Sequence, residues 1–250
     1  MKIKRVKDVK VELIAGGGKC YTAIAARFCR SNKSVKDILA SEYSHKLVEN
    51  IVNSGHLAAT EFDTFIFGID GASRVFEAQL IRKRLASYMI SSGRVDRTGG
   101  DREIVIPDDD RIFDVEGSVD GNSYNIMKIL ELLDSWYLNA VESGISPNDA
   151  RYLMPEGSAK KIILSMNSHA LIDWFKIRCC FRAAPEINSV ANQILHICKE
   201  QFPDIFKDAG PSCKVLGFCP EYEQCEQMKG KILPLKEVKA AAREGRLIIQ

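Results

Sequence analysis

The sequence has no excess of either charge, no long apolar run and no closely spaced cysteine pair. Each absence removes a class of function. Lys and Arg number 35 against 33 Asp and Glu, a formal net charge of +2. Bulk electrostatics therefore lend no support to a nucleic-acid coat or a membrane-surface role. No apolar stretch reaches the roughly 20 residues of a membrane helix. The opening MKIKRVKDVKVELIA is too broken by charge for a signal peptide's apolar segment. The 8 cysteines include no two separated by two to four residues, as zinc ligands usually are. Cys213, Cys219 and Cys225 recur every six residues with no evident fourth ligand, and Cys179 and Cys180 read as core thiols. No metal site is expected, and reduced thiols in a cytoplasm are. Gly16-Gly17-Gly18 lacks both the Lys-Ser/Thr of a P-loop and the spacing of a dinucleotide fingerprint.

What is present is ordinary in bulk: 46% apolar and 27% charged residues, enough for a full core. Val9–Ala15 alternates as a strand, and Tyr21–Arg30 reads as a short helix. Ser34 caps a turn of helix, and Ser41 opens another that runs to about Asn53 and ends at Gly55. Glu61–Ile69 is rich in aromatic and β-branched residues, as strands are. Arg74–Arg84 is helical in pattern, and a short strand, Ile104–Ile106, sits in a charged loop. Asn122 or Ser123 caps a long amphipathic helix that stops at Gly144. Pro147 starts a short helix, Lys160–Met166 reads as a buried strand, and His169–Arg182 and Pro185–Gln201 as helices. A turn-rich loop follows, and Leu235–Glu244 forms a last surface helix. These elements predict one α+β domain, a mixed twisted sheet flanked by helices, over residues 1–230, with 231–250 a surface tail or helix.

Chemistry concentrates in RKRLASYMISSGR, residues 82–94. Arginine suits planar, bidentate binding of phosphate or carboxylate, and serine hydroxyls complete such pockets at short range. Arg82, Arg84 and Arg94 with Ser87, Ser91 and Ser92 would make an anion site. Arg151, Arg178 and Arg182 recur near aromatic or turn positions, where an unpaired cation is costly to bury. The alternative is a solvated basic face.

The order of residues beyond this stretch adds a resemblance. Gly55-His56, Glu61, Phe65, Phe67, Ile69, Gly71 and Ser73-Arg74 are followed by Gln79-Leu80, Arg82-Lys83-Arg84, Ala86-Ser87-Tyr88, Ser92 and Arg94. Ala150-Arg151-Tyr152 with Pro155, Met166-Asn167, FKIRCCFRA (175–183), Glu186-Ile187 and IFKDAGPSC (205–213) continue the series. Together they resemble the flavin-dependent thymidylate synthases, whose Arg-His-Arg, seven residues, Ser signature reads here Arg-Lys-Arg, seven residues, Ser92.

That resemblance implies a thymidylate synthase-complementing-protein-like fold and FAD-dependent reductive methylation of dUMP to dTMP. Methylenetetrahydrofolate would donate the carbon and NADPH would reduce the flavin. It further implies a homotetramer with shared sites. Gln79, Ser92, Arg94, Arg151 and Arg178 would hold the nucleotide, with Arg178, Ser92 and Arg94 nearest the chemistry. His56, Glu61, Arg82, Lys83, Arg84, Asn167 and Arg182 would line the cofactor. The chain departs from the pattern at Lys83 (usually His), Phe62, Met89, Ile90, Val95, His169 and Ala184-Pro185. Those departures keep two alternatives open: another C5 modification of a pyrimidine nucleotide, or a non-catalytic nucleotide-binding subunit.

Overall fold

The structure, a computed structural model, describes residues 2–16, 20–92 and 102–244. Among the described residues the strands are, in chain order, β1 (Lys2–Arg5), β2 (Lys10–Ala15), β3 (Thr64–Ala72), β4 (Ser87–Ile90), β5 (Glu103–Ile106), β6 (Glu116–Val119), β7 (Asn122–Asn125), β8 (Lys160–Asn167), β9 (Phe218–Cys219) and β10 (Leu233–Pro234). The helices are α1 (Tyr21–Arg30), α2 (Val35–Leu39), α3 (His45–Asn53), α4 (Arg74–Leu80), α5 (Ile126–Glu142), α6 (Pro147–Ala150), α7 (Ser168–Arg178), α8 (Pro185–Gln201), α9 (Pro203–Phe206), α10 (Ser212–Leu216) and α11 (Leu235–Arg243). The main sheet has the order β2-β3-β8-β4, and the fold is mixed α+β. β3 and β8 alternate as half-buried strands must: Phe65, Phe67 and Ile69 on one, Ile162, Leu164 and Met166 on the other, are all buried.

The chain divides into two compact units. The first holds the described residues of Met1–Glu12, Gly68–Arg84 and Tyr88–Leu164. In it β1 pairs parallel with β5, from Lys2↔Glu103 to Arg5↔Ile106. Ile104, Ile106 and Leu130 form a small core with Ile3, Phe113 and Ile126, and Tyr137, Ala140 and Ala150 form another. Helical spacing on α5 supplies both, each large side chain contributing about 1.5–3 kcal/mol by burial. Gly157 carries no side chain for a packing reason. A Cβ there would lie 2.5 Å from the Val105 carbonyl oxygen, and the Val105 amide donates to the Gly157 carbonyl at 2.7 Å.

The second unit holds Leu13–Phe67, Leu85–Ser87 and the chain from Ser165 onward. Phe65 packs on Phe202 and Phe206, with ring centroids 4.7 and 5.6 Å away, and Phe175 on Phe206 at 6.1 Å. Buried Asp63 receives the start of α1: its carboxylate accepts from the Tyr21 amide at 2.7 Å, the Thr22 amide at 3.0 Å and the Thr22 hydroxyl. A carboxylate satisfies the unpaired amides and the positive end of the helix together. Pro185 at the first position of α8 is preorganised for that place, which gives this departure a structural reason.

Several boundaries correct the sequence reading. α3 opens at Ser44, not Ser41, with the Ser44 hydroxyl accepting from the Leu47 amide. Residues Leu57–Phe62 form a 3-10 helix, so the strand expected from Glu61 begins at Thr64. α4 ends at Leu80, and part of the ambiguous stretch after it is β4. The cap of α5 is Asn125, because residues 116–125 are spent on a hairpin that the sequence reading missed. Its turn is Asp120-Gly121, both at positive φ (50° and 77°), the two-residue turn that matches strand twist. α7 stops at Arg178, before the expected Arg182. The expected loop after α9 contains α10 and β9, and β9 pairs parallel with β10 of the expected tail.

Candidate active site

Within the first unit a cavity of about 270 Å³ is lined by Arg74, Arg102, Glu103, Tyr137, Arg151, Tyr152, Met154, Glu156, Ser158, Ala159 and Lys160. Its floor is fixed by Arg102, whose guanidinium lies 3.9 Å from the Tyr137 ring centroid and donates to Asp134 at 2.7 Å. That cation is therefore committed to structure. Glu103 is held by Lys4 at 2.8 Å, and Arg74 faces Glu156 at 3.9 Å. Arg151 is different: among the described residues no carboxylate pairs with it. It sits on the 3-10 turn Arg151–Leu153 after α6, whose Ser146 cap and Pro147 fix the approach. A half-buried guanidinium with no acidic partner among the described residues, beside an apolar wall, has the chemistry to take an anion.

The Arg82-Lys83-Arg84 turn follows α4 directly. Ser73 caps that helix by accepting from the Phe76 amide at 3.1 Å, and the Arg74 amide donates to the Glu156 carbonyl at 3.0 Å. Arg82 and Arg84 are exposed and Lys83 half-buried, and among the described residues none of the three has an ion-pair partner. The hydroxyl of Tyr88 grips the turn from β4, facing the Lys83 carbonyl at 2.6 Å and the Leu80 carbonyl at 3.0 Å. Burial pushes that phenol up to about 12. Ser91 anchors the end of β4 through Lys161, amide to carbonyl at 2.8 Å and hydroxyl from amide at 3.0 Å. Gln79 and Ser92 are engaged in contacts of their own. Arg94 and Val95 lie outside the described residues.

Within the second unit Glu61 meets His169, Oε1 to Nδ1 at 3.2 Å. One departure from the family pattern thus supplies a partner for a residue expected at the cofactor. His56 is exposed just before the 3-10 turn that ends in Phe62, itself 65% exposed. Asn167 spends its Oδ1 on capping α7, accepting from the Ala170 amide at 2.8 Å, which leaves its amide nitrogen to donate elsewhere. Arg178 is the half-buried last residue of α7, and its carbonyl accepts from Asn188 at 2.9 Å. Arg182 donates to the Glu223 carbonyl at 2.6 Å.

The structure therefore groups Arg82, Lys83 and Arg84 on one turn, and Arg151 with Arg74 at one cavity, in the first unit. It joins Glu61 to His169 in the second. Three contributors were missed from sequence. Tyr88 was legible only as part of a motif, and His169 lies 108 residues from its partner. The Arg102–Asp134–Tyr137 group carries no local signal at all. Among the described residues no helix is long and apolar enough to cross a membrane.

The thymidylate synthase complementing protein family matches residues 16–204. A flavin-dependent thymidylate synthase of Geobacter sulfurreducens is 32% identical over 223 residues, 88% of this chain and 89% of that one. One of Nitratidesulfovibrio vulgaris is 36% identical over 241 residues, 87% and 93% of the two chains. Among solved structures, the UMP/dUMP methylase PolB from Streptomyces cacaoi, bound with 5-Br dUMP, has a TM-score of 0.65 at 20% identity and covers 83% of this chain and 96% of its own. That last likeness concerns the fold.

Proposed function

Because the chain belongs to the thymidylate synthase complementing protein family, the flavin-dependent thymidylate synthases, we propose that it is an enzyme that methylates C5 of dUMP to give dTMP. The observation that carries this reading furthest is Arg151, a guanidinium with no acidic partner among the described residues, in a cavity walled by Tyr137 and Met154. Arg151, Gln79 and Ser92 would hold the nucleotide. Making C5 nucleophilic moves negative charge onto the pyrimidine oxygens, and the cationic side chains of Arg178 and Arg94 would stabilise it as it develops.

The donor set of the Arg82-Lys83-Arg84 turn, free of acidic partners among the described residues, fits a phosphate-bearing cofactor such as FAD. Bound FAD would supply hydride, with methylenetetrahydrofolate as carbon donor and NADPH as reductant. Lys83 would keep positive charge beside the reduced flavin where the family has histidine. His56, Glu61, Asn167 and Arg182 would complete the pocket, with His169 holding Glu61. Shared sites in a homotetramer would cover Met89 (72% exposed) and Tyr152 (84% exposed), which a lone chain leaves in water.

Complementation of a thymidine auxotroph tests the whole reading, and failure with good expression refutes dTMP formation. In vitro the purified protein should bind FAD and turn yellow, and dUMP should perturb the flavin spectrum. A protein that stays colourless after FAD addition refutes the flavin. A spectrum that answers to another pyrimidine nucleotide but not to dUMP moves the assignment to that substrate.

A further inference from the structure

The C-terminal part of the second unit has almost no core. Between Lys214 and Glu244 the only buried residue is Cys219. Regular structure there consists of the end of α10, the two-residue strands β9 and β10, α11 and turns. So little apolar burial does not hold a chain in one conformation, and small units of this kind rely on disulfides or metals. No disulfide is present among the cysteines, all of which are free.

Four of those cysteines line one small cavity: Cys180, Cys213, Cys219 and Cys225. Each sits on a separate piece of backbone. The Cys180 carbonyl accepts from the Ala183 amide and from Asn188 Nδ2, both at 2.9 Å. Cys213 lies on α10, which is tied to α7 by the Ser212 hydroxyl donating to the Lys176 carbonyl at 3.1 Å. Cys219 is the second residue of β9, in register with Pro234. Cys225 opens a turn, its carbonyl accepting from the amides of Met228 and Lys229 at 3.1 and 3.2 Å. The Arg182 bond to the Glu223 carbonyl joins the Cys180 turn to the Cys225 loop. The spacing by six displays three ligands and hides the fourth, which the fold delivers from the end of α7.

We propose that Cys180, Cys213, Cys219 and Cys225 ligate an iron–sulfur cluster that fastens the C-terminal segment to α7. Four cysteines suit either zinc or such a cluster. A single zinc ion gathers its four sulfurs to about 2.3 Å from one point. Among the described residues no three His, Cys, Asp or Glu side chains converge in that way. A cluster has an iron for each thiolate and takes sulfurs set further apart around a cavity wall. Arg182 lines the same cavity and offsets part of the negative charge of the thiolates, while Lys176, also in the lining, is paired with Asp173 at 3.1 Å, and Glu221 adds a carboxylate. Each thiol loses its proton to solvent as its sulfur binds iron, so the site forms with proton release. The role is structural, and of the residues assigned to the flavin it touches only Arg182.

The test is elemental: iron, acid-labile sulfide and zinc per chain, measured on full-length protein purified without oxygen. About four iron and four sulfide per chain are expected. Cys213→Ser and Cys225→Ser should each lose most of both, while Cys29→Ser keeps them. The wild-type protein gives a second readout that needs no variant to fold. Cys180 and Cys225, which are only partly buried, should resist alkylation with Cys213 and Cys219 until a chelator strips the iron, and residues 214–244 should then exchange amide hydrogens at least tenfold faster. Zinc alone overturns the proposal. So does absence of iron both as purified and after incubation with sulfide and equal amounts of ferrous and ferric iron, which together supply the oxidation level of the cluster, and so does iron retained in the Cys213→Ser/Cys225→Ser double variant. Iron is counted directly, so a yellow protein without cluster, or a cluster without flavin, separates this proposal from the activity.

Discussion

Tyr88→Phe should loosen the turn that carries Arg82, Lys83 and Arg84. The hydroxyl faces two carbonyls, Lys83 at 2.6 Å and Leu80 at 3.0 Å, and its one proton serves one of them at a time. The Leu80 carbonyl also accepts from the Lys83 amide at 3.1 Å, so phenylalanine leaves mainly the Lys83 carbonyl unmet. The net loss is about 1 kcal/mol. For a chain of this size that lowers the melting temperature by about 2–4 °C. The loss has a pH signature, because burial pushes the Tyr88 phenol up to about 12 from 10.0. Below pH 10 the proton is present in folded and unfolded chains alike, and the contribution is complete. As pH rises from 10 towards about 12, the unfolded chain ionises first and the advantage of wild type disappears. Tyr88 is half-buried, so solvent screening limits that fall to about the 1 kcal/mol of the bond itself. Urea melts of both proteins near neutral pH and again within that alkaline window read the difference, and the other tyrosines cancel between them. Equal midpoints at neutral pH, or a gap that persists through the window, would refute the reasoning. If the turn holds FAD, the same variant should also bind it about fivefold more weakly, the equivalent of about 1 kcal/mol.

Arg151→Ala should weaken dUMP binding by about tenfold or more, since a charge-assisted bond is worth about 1.5–3 kcal/mol, while the melting temperature stays put because Arg151 has no acidic partner among the described residues to strand; calorimetric titration checks the first and scanning calorimetry the second. Lys83→His should raise flavin affinity or turnover, and unchanged or lower values for both would remove Lys83 from the cofactor contacts. Asp63→Asn should cost about 3 kcal/mol in denaturant melts, because the amide turns a donor towards the donors of Tyr21 and Thr22. Arg102→Ala should cost about 2–3 kcal/mol by leaving Asp134 unpaired with only 22% of its side chain exposed, and Asp134→Asn in the same chain should recover part of the loss.

Much of this fold is legible because its strongest elements announce themselves locally. β3 and β8 alternate cleanly, and α8 has Pro185 at its first position. Tyr21–Arg30 is helical as read. The β6–β7 hairpin escaped because EGSV and NSYN bury almost nothing, so hydrophobic periodicity had no amplitude there, although Asp120-Gly121 was in view. The start of α3 was misplaced because Ser41 and Ser44 are equally good caps. Tyr43 fixes the choice by reaching Asp204 at 2.5 Å, a partner that no local pattern reveals. The candidate site divides in the same way. Residue type and order point to Arg151 and to Arg82-Lys83-Arg84. Which arginine stays unpaired depends on Asp134 finding Arg102 and on Lys4 finding Glu103, and those pairings exist only once the chain is folded.

The second unit is assembled from the two ends of its chain, and that has a consequence during synthesis. The Ser168 amide, donor to the Asp63 carbonyl, leaves the ribosome 105 residues after it. At roughly 5–20 residues per second, that separation is about 5–20 s of translation. For at least that interval Phe65 waits without Phe202 or Phe206. An exposed apolar strand edge invites capture by other chains, so the nascent protein should depend on chaperones that shield residues 64–72 until α7 to α9 are made.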